Sequence, residues 1–297
     1  MQGLIIENIS NLYRIETEKG TYEANARGKF KKEEITPVVG DKVEIQILDE
    51  ESKKAVIEEI QERTTYIKRP KMSNITQLVL VVSSKNPKPD LLLLDKQLAF
   101  AEFLKLKAII VLNKTDLDKK KEFEKIKEVY QNIGYTVIET IAKECSNNEN
   151  GIHDLEKYLK GNINAFSGNS GVGKSTLINA IFKDTITQEG EISQRNKKGK
   201  NTTTSTKLYE IDKDTYIADT PGFSTFDISE IEYRELDKYF IEFRPVLENC
   251  EFVGCTHIKE ENCGIKQALE QGKVDCGRYE RFCKIYEELK EKERYKW

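Results

Sequence analysis

The sequence predicts three domains of different class: a small β-barrel over residues 1–70, an α/β domain with a mostly parallel sheet over 71–224, and a Cys-rich helical domain over 225–297. Three observations predict this division. The first seventy residues alternate apolar and polar side chains in short runs; from Gln77 strand-sized apolar runs alternate with amphipathic stretches; after Ser224 the strands stop and Cys, His, Tyr and charged helix formers take over. The 297 residues carry 48 Lys+Arg against 51 Asp+Glu, a net charge of −3, which argues against wholesale coating of nucleic acid but leaves room for a local basic patch. With 33% charged residues and no apolar run near the about 18 residues that cross a bilayer, the composition argues against a membrane-spanning chain. The first ten residues show no basic region followed by a small-residue cleavage site, so a cytoplasmic protein is expected. Six Cys are too few for a disulfide scaffold, and in a reducing compartment clustered Cys read as metal ligands.

The barrel is predicted from strands at 4–9, 13–17, 21–27, 42–48 and 55–60, with turns at Gly20 and at Val39-Gly40-Asp41. Five short strands suit an oligonucleotide-binding (OB) type barrel, whose open face and loops often take RNA. Lys29, Lys31, Lys32, Lys68, Arg69 and Lys71 read either as phosphate contacts or as solvated loop charge. In the α/β domain, strands are expected at 77–82, 108–112, 135–138, 163–166, 207–211 and 216–218, and helices at 90–104, 118–133, 152–159 and 174–182. Ligands then belong at the carboxyl ends of the strands. Three further helices, at 229–240, 264–271 and 277–293, surround the Cys-rich stretch.

Gly168-Asn169-Ser170-Gly171-Val172-Gly173-Lys174-Ser175 fits G-x-x-x-x-G-K-[ST], and it follows one predicted strand and opens a helix into Thr176, the context this phosphate loop requires. Its glycines let backbone N–H groups turn onto phosphates, Lys174 reaches the β- and γ-phosphates, and the Ser175 hydroxyl binds Mg²⁺. Asn113-Lys114-Thr115-Asp116 closes the apolar strand at 108–112 and chooses the base. A carboxylate at Asp116 accepts from N1–H and the 2-amino group of guanine together, whereas adenine offers no such donor pair. Asn113 would brace the phosphate loop, and the Lys114 stem would cover the base. Asp219-Thr220-Pro221-Gly222 follows the strand at 216–218; Asp219 would hold Mg²⁺ through water and the Gly222 amide would sense the γ-phosphate. Upstream, the polar stretch Gly199-Lys200-Asn201-Thr202-Thr203-Thr204 offers Thr203 as a further magnesium contact, against the plainer reading of a solvated loop.

Cys250-x4-Cys255-x-His257-x5-Cys263 supplies three thiolates and one imidazole, enough to close a tetrahedral zinc site with no open position. Such a site is structural and would stabilise a domain with little core of its own. Cys276 and Cys283 lie seven apart on one helical face and are expected to pack rather than ligate; Cys145 and His153 carry no assignment.

The guanine-reading box lies upstream of the phosphate loop, the reverse of the usual order, so the α/β domain reads as circularly permuted. Permutation is tolerated where the cut falls at surface connections. That order, with Val39-Gly40-Asp41, the 93–102 helix and Glu242-Phe243-Arg244-Pro245 before the Cys cluster, resembles the RsgA family of small-ribosomal-subunit biogenesis GTPases along the whole chain. The resemblance implies an OB-type barrel, a circularly permuted P-loop GTPase domain and an α-helical zinc-binding domain. It also implies hydrolysis of GTP to GDP, Mg²⁺ with the nucleotide and one structural Zn²⁺. The implied partners are the 30S subunit and its 16S rRNA, bound late in maturation and left after hydrolysis, with no membrane or DNA partner and a monomeric chain. Gly222 then leads directly into the C-terminal helices, which the second switch would move.

Two positions depart from the expected pattern. Phe223 stands where other GTPases carry the Gln that positions the attacking water, and an apolar ring cannot orient water by hydrogen bonding. The residue before the threonine run, commonly His in the family, is Asn201, whose amide can hold a water but not accept its proton. Slow intrinsic turnover completed by the ribosome is expected, with Asn201 as the water-positioning candidate. Two alternatives stay open: an RNA-binding placeholder that uses GTP as a conformational ligand, and a permuted GTPase serving another RNA or protein partner. The fifth guanine-contact loop falls at Ile141-Ala142-Lys143, a loose fit to a small residue beside a Lys.

Overall fold

The computed structural model describes residues 1–32, 34–142, 150–189, 206–219 and 228–294. In chain order the strands and helices are β1 (Gln2–Ile9), β2 (Leu12–Thr17), β3 (Gly20–Ala26), α1 (Lys29–Lys32), β4 (Lys42–Asp49), β5 (Lys54–Ile60), β6 (Tyr66–Lys68), β7 (Lys71–Ser73), β8 (Gln77–Ser83), α2 (Leu91–Phe103), β9 (Lys107–Asn113), α3 (Glu122–Ile133), β10 (Thr136–Thr140), α4 (Ile152–Leu159), β11 (Ile163–Ser167), α5 (Lys174–Glu189), β12 (Lys207–Asp212), β13 (Thr215–Asp219), α6 (Gly264–Glu270) and α7 (Cys276–Arg294). They pack as two compact units that interleave along the chain: Met1–Leu78 with Lys143–Ser167 and Ser175–Ser224, and Val79–Ala142 with Gly168–Lys174 and Thr225–Trp297.

In the first unit, β1, β2, β3, β5 and β4 are hydrogen-bonded in that order and β4 returns to β1, closing a five-stranded barrel. The β3–β5 pair is parallel and the others antiparallel. Closure follows from the period-2 pattern, because Ile5, Tyr13, Ile15, Tyr22, Ala24, Val43, Ile45, Ala55 and Ile57 all point inward and are buried. The Val39-Gly40-Asp41 turn is fastened beneath the β6–β7 hairpin. The buried Asp41 carboxylate accepts from Val38 N at 2.8 Å, Ser73 Oγ at 2.6 Å and Arg63 Nε at 2.7 Å. Gly40 has φ +92°, and a Cβ there would lie 2.0 Å from Ser73 O, so no other residue fits. This hairpin, which the alternation pattern does not announce, carries Lys68, Arg69 and Lys71 exposed at its tip. Beyond the barrel, β12 meets β1 at Glu7 opposite Lys207 and pairs antiparallel with β13, and β13 pairs parallel with β11.

In the second unit, β8, β9 and β10 lie side by side, β9 and β10 parallel, with every residue from Val79 to Val82 and Ile109 to Leu112 buried. The helix expected at 174–182 runs on to Glu189, and two others differ more. The helix expected at 118–133 begins at Glu122, because the Asp118 carboxylate accepts from Glu122 N at 3.0 Å and Phe123 N at 2.8 Å and so stands before the helix. The helix expected at 229–240 is a 3₁₀ turn over Tyr233–Tyr239. Leu236 within it and Phe240 at its end are buried, and Phe240 stacks on Phe243 while Phe282 meets both edge-on, with centroids 5.0–5.2 Å apart. That packing overrides the helix propensity of the segment. No helix among the described residues is long and apolar enough to cross a membrane.

Candidate nucleotide site and metal cluster

The phosphate loop leaves β11 at Ser167 and enters α5 at Lys174. Its glycines are required by geometry. Gly168 has φ +138° and a Cβ there would meet Val81 O at 2.2 Å; Gly173 has φ +105° and a Cβ would meet Asn113 Nδ2 at 2.3 Å. Val172 is buried and anchors the loop, whereas Ser170 and Gly171 are exposed. Lys174 Nζ folds over the loop and donates to Gly168 O at 2.5 Å and Asn169 O at 2.8 Å, and burial pulls its ammonium down from the usual lysine range. A phosphate oxygen would replace these two carbonyls as its partner. Ser175 and Thr176 occupy the exposed first turn of α5.

Asn113, the last residue of β9, is buried and bonds through both ends of its amide. Nδ2 donates to Val172 O at 2.8 Å, while Oδ1 accepts from Thr140 Oγ1 at 3.0 Å and Ala142 N at 3.3 Å. Lys114 follows with φ +64° and Nζ donates to Gly171 O and Asn86 O, both at 2.6 Å. The two boxes, more than fifty residues apart in sequence, are thus stitched together by two side chains. Thr115 and Asp116 fall in the 3₁₀ turn Thr115–Leu117, where Asp116 is exposed and open to a ligand. Thr140 and Ala142 brace Asn113, contacts that the motif spacing does not announce. Ala142 falls in the expected fifth loop, Ile141-Ala142-Lys143, and its N–H is where that loop meets Asn113; Thr140 lies outside that expected loop. Of the remaining expected residues, only the backbone of Asp219 is described, at the end of β13 opposite Lys207; Asn201, Thr203, Gly222, Phe223, Lys143 and Cys145 lie outside the described residues.

Cys250, Cys255, His257 and Cys263 come together as the sequence spacing predicts, with their four ligand atoms within 4.8 Å of one another. Cys250 Sγ lies 3.6 Å from His257 Nδ1, and Cys263 Sγ lies 3.4 Å from the same nitrogen. Zn–S and Zn–N bonds of about 2.3 and 2.0 Å at tetrahedral angles place S and N about 3.5 Å apart, so the donor set fits zinc. Nδ1 is the nitrogen that faces the thiols and would ligate an ion there, and Nε2 meets Asp237 Oδ2 at 3.2 Å, a carboxylate that fixes the ring and its tautomer. Asp237 is twenty residues away and was invisible to spacing arguments. The backbone supports the site as well: His257 has φ +65° and its carbonyl accepts from Tyr279 Oη at 2.7 Å. Between the ligands, burial pulls the Glu260 carboxyl upward, but bonds from the backbone and side chain of Thr256 and from Lys259 N hold it at about 2. Without a metal, burial pushes the Cys255 thiol up to about 12, so ion binding must displace protons. Cys283 is half-buried, but Cys276 is exposed at the start of α7 beside Glu280, so the expectation that both pack fails at Cys276, which lies on the solvent side of a turn whose other side buries Arg278.

The RsgA GTPase family profile matches residues 60–229 and the RsgA N-terminal domain profile matches residues 2–57. The chain belongs to the RsgA GTPase family. Relatives named small ribosomal subunit biogenesis GTPase RsgA are 38% identical in Alkaliphilus metalliredigens over 99% of both chains, and 41% identical in Clostridium beijerinckii over 100% of both. Among solved structures, YjeQ from Thermotoga maritima superposes with a TM-score of 0.84 at 35% identity, covering 97% of this chain and 98% of its own. YloQ, described as a circularly permuted GTPase, gives 0.80 at 33% identity, covering 98% and 95%. The RsgA fold therefore comprises the five-stranded barrel, a GTPase domain of permuted motif order, and a C-terminal segment bearing the Cys/His cluster.

Proposed function

We propose that this RsgA-family GTPase is a late assembly factor of the 30S ribosomal subunit, binding 16S rRNA and leaving when GTP is hydrolysed to GDP. The observation that carries the nucleotide part is the bond from Asn113 Nδ2 to Val172 O at 2.8 Å, which joins the base-reading box to the phosphate loop. In this reading Asp116 pairs with guanine and the Lys114 stem covers the ring. The backbone from Gly168 to Gly173, together with Lys174, Ser175 and Thr176, cradles the phosphates. Ser175, Thr203 and Asp219 offer hydroxyl and carboxylate oxygens, the donor class magnesium prefers, and the ion would neutralise charge on the β- and γ-phosphates. Asn201 orients the attacking water and Gly222 senses the γ-phosphate. Zinc at Cys250, Cys255, His257 and Cys263 is structural.

Residues 1–70, 71–224 and 225–297 then divide the labour as RNA-contacting barrel, GTPase and zinc-braced helical domain of a cytoplasmic monomer. Hydrolysis measured with and without purified 30S subunits tests this, and strong stimulation is expected. Pelleting with 30S at rising salt should weaken in step with phosphate contacts, which separates this partner from another RNA or protein. Asn201 and Phe223 favour one rival, a placeholder for which GTP is a conformational ligand only. Absence of stimulation supports that rival. Loss of stimulated turnover with intact GTP affinity in Asn201→Ala supports a direct role for the amide.

A further inference from the structure

Helix α2 touches the phosphate loop at one end and the C-terminal helices along its flank. At its start, Asp90 Oδ1 accepts from Leu93 N at 3.0 Å and caps the helix, while Oδ2 accepts from Asn169 Nδ2 at 2.9 Å. Four residues into the helix, Asp95 is fully buried and accepts three bonds: from Tyr130 Oη at 2.5 Å and Arg278 Nη1 at 2.5 Å on Oδ1, and from Arg281 Nε on Oδ2; next to it in sequence, Lys96 pairs separately with Glu288. Arg278 is itself buried, grips Glu242 through both carboxylate oxygens at 2.7 and 2.9 Å, and lies 4.5 Å over the Phe240 ring. Opening this cluster would strand buried charges without partners, which costs far more than an exposed pair returns. Helices α2 and α7 therefore move together. The distance from Asp95 to the start of α2 is about 6 Å along a rigid helix, at about 1.5 Å per residue.

We propose that Asp90 is a positioning residue of the phosphate loop, and that α2, clamped at Asp95, makes the setting of that loop depend on α7. This rests on the nucleotide-binding reading above. A partner that shifts α7 would thereby change nucleotide affinity along a path separate from the segment at Gly222, and by linkage nucleotide would change the order of α7.

The test uses the full chain, labelled GDP and amide exchange. Asp90→Ser keeps a capping oxygen but is too short to reach Asn169, so the thermal midpoint without nucleotide should stay within about 2 °C while GDP affinity falls about fivefold. Arg281→Gln should also weaken GDP, and its effect should vanish in the Asp90→Ser background. In the unmodified chain GDP should raise amide protection across α7 several-fold, and Asp90→Ser should abolish that rise. Unchanged affinity in Asp90→Ser, independent multiplication of the two variants, or an α7 indifferent to bound GDP would each overturn the coupling. Failure of the unmodified chain to bind GDP would overturn the functional reading and this one with it. The exchange measurement needs no variant, so poor folding of either one cannot shelter the idea.

Discussion

Truncating Asn113 to Ala isolates the joint between the guanine box and the phosphate loop. The amide makes three bonds in a buried setting, to Val172 O at 2.8 Å, from Thr140 Oγ1 at 3.0 Å and from Ala142 N at 3.3 Å. Removing it leaves three buried polar groups without that partner. An unsatisfied buried group costs about 1–3 kcal/mol, and the low end applies because the Thr140 hydroxyl can rotate and water can fill the space vacated. The sum is about 3 kcal/mol, equivalent to about a hundredfold in affinity if it falls on the nucleotide-binding conformation. Titration with fluorescent GDP measures the affinity, and urea unfolding without nucleotide measures what falls on the fold instead. Thr140→Val should lose about a third of the effect. Affinity within twofold of the unmodified chain, together with an unchanged unfolding midpoint, would refute the view that this amide holds the two motifs in register.

Three further outcomes are expected. Gly173→Ala forces a Cβ to within 2.3 Å of Asn113 Nδ2 at φ +105°, and should cost at least tenfold in GDP affinity; binding at the original strength would count against the close approach. Metal analysis should return one zinc per chain, and chelation should expose the buried Cys263 thiol to a thiol reagent and abolish cooperative melting of the C-terminal segment, with Cys250→Ser reproducing both. Partial desolvation and the neighbouring Glu16 raise the Glu210 carboxyl to about 7, so the folded chain holds a proton that the unfolded chain releases above about 4.5, and stability falls as pH rises from 4.5 through 7. Glu210→Gln should therefore melt higher than the unmodified chain at pH 8 and lose that advantage at pH 5, by under about 1 kcal/mol because the side chain is exposed; an equal difference at both pH values argues against the shift.

What the sequence made legible was what lies close along the chain. The phosphate loop, Asn113 to Asp116 and the Cys/His spacing are short strings whose chemistry depends on neighbours within a few residues, and the barrel shows in period-2 burial. The parts that escaped are partnerships across long separations. Nothing near His257 announces Asp237, and nothing near Asp95 announces Arg278, 183 residues away. The β6–β7 hairpin escaped for a related reason: its strands are three residues long and are held by Asp41 and Gly40 from another part of the chain rather than by their own pattern. At 118–133 and 229–240, capping by Asp118 and packing of the Phe240 cluster decided boundaries that propensity alone placed wrongly.

Calorimetric titration of GTP and ATP against the unmodified chain and Asp116→Asn probes the base-reading claim most directly. The carboxylate should make GTP at least about a hundredfold tighter than ATP, and the Asn variant should lose most of that preference. Comparable affinity for both triphosphates in the unmodified chain, or a preference that survives in Asp116→Asn, would contradict it.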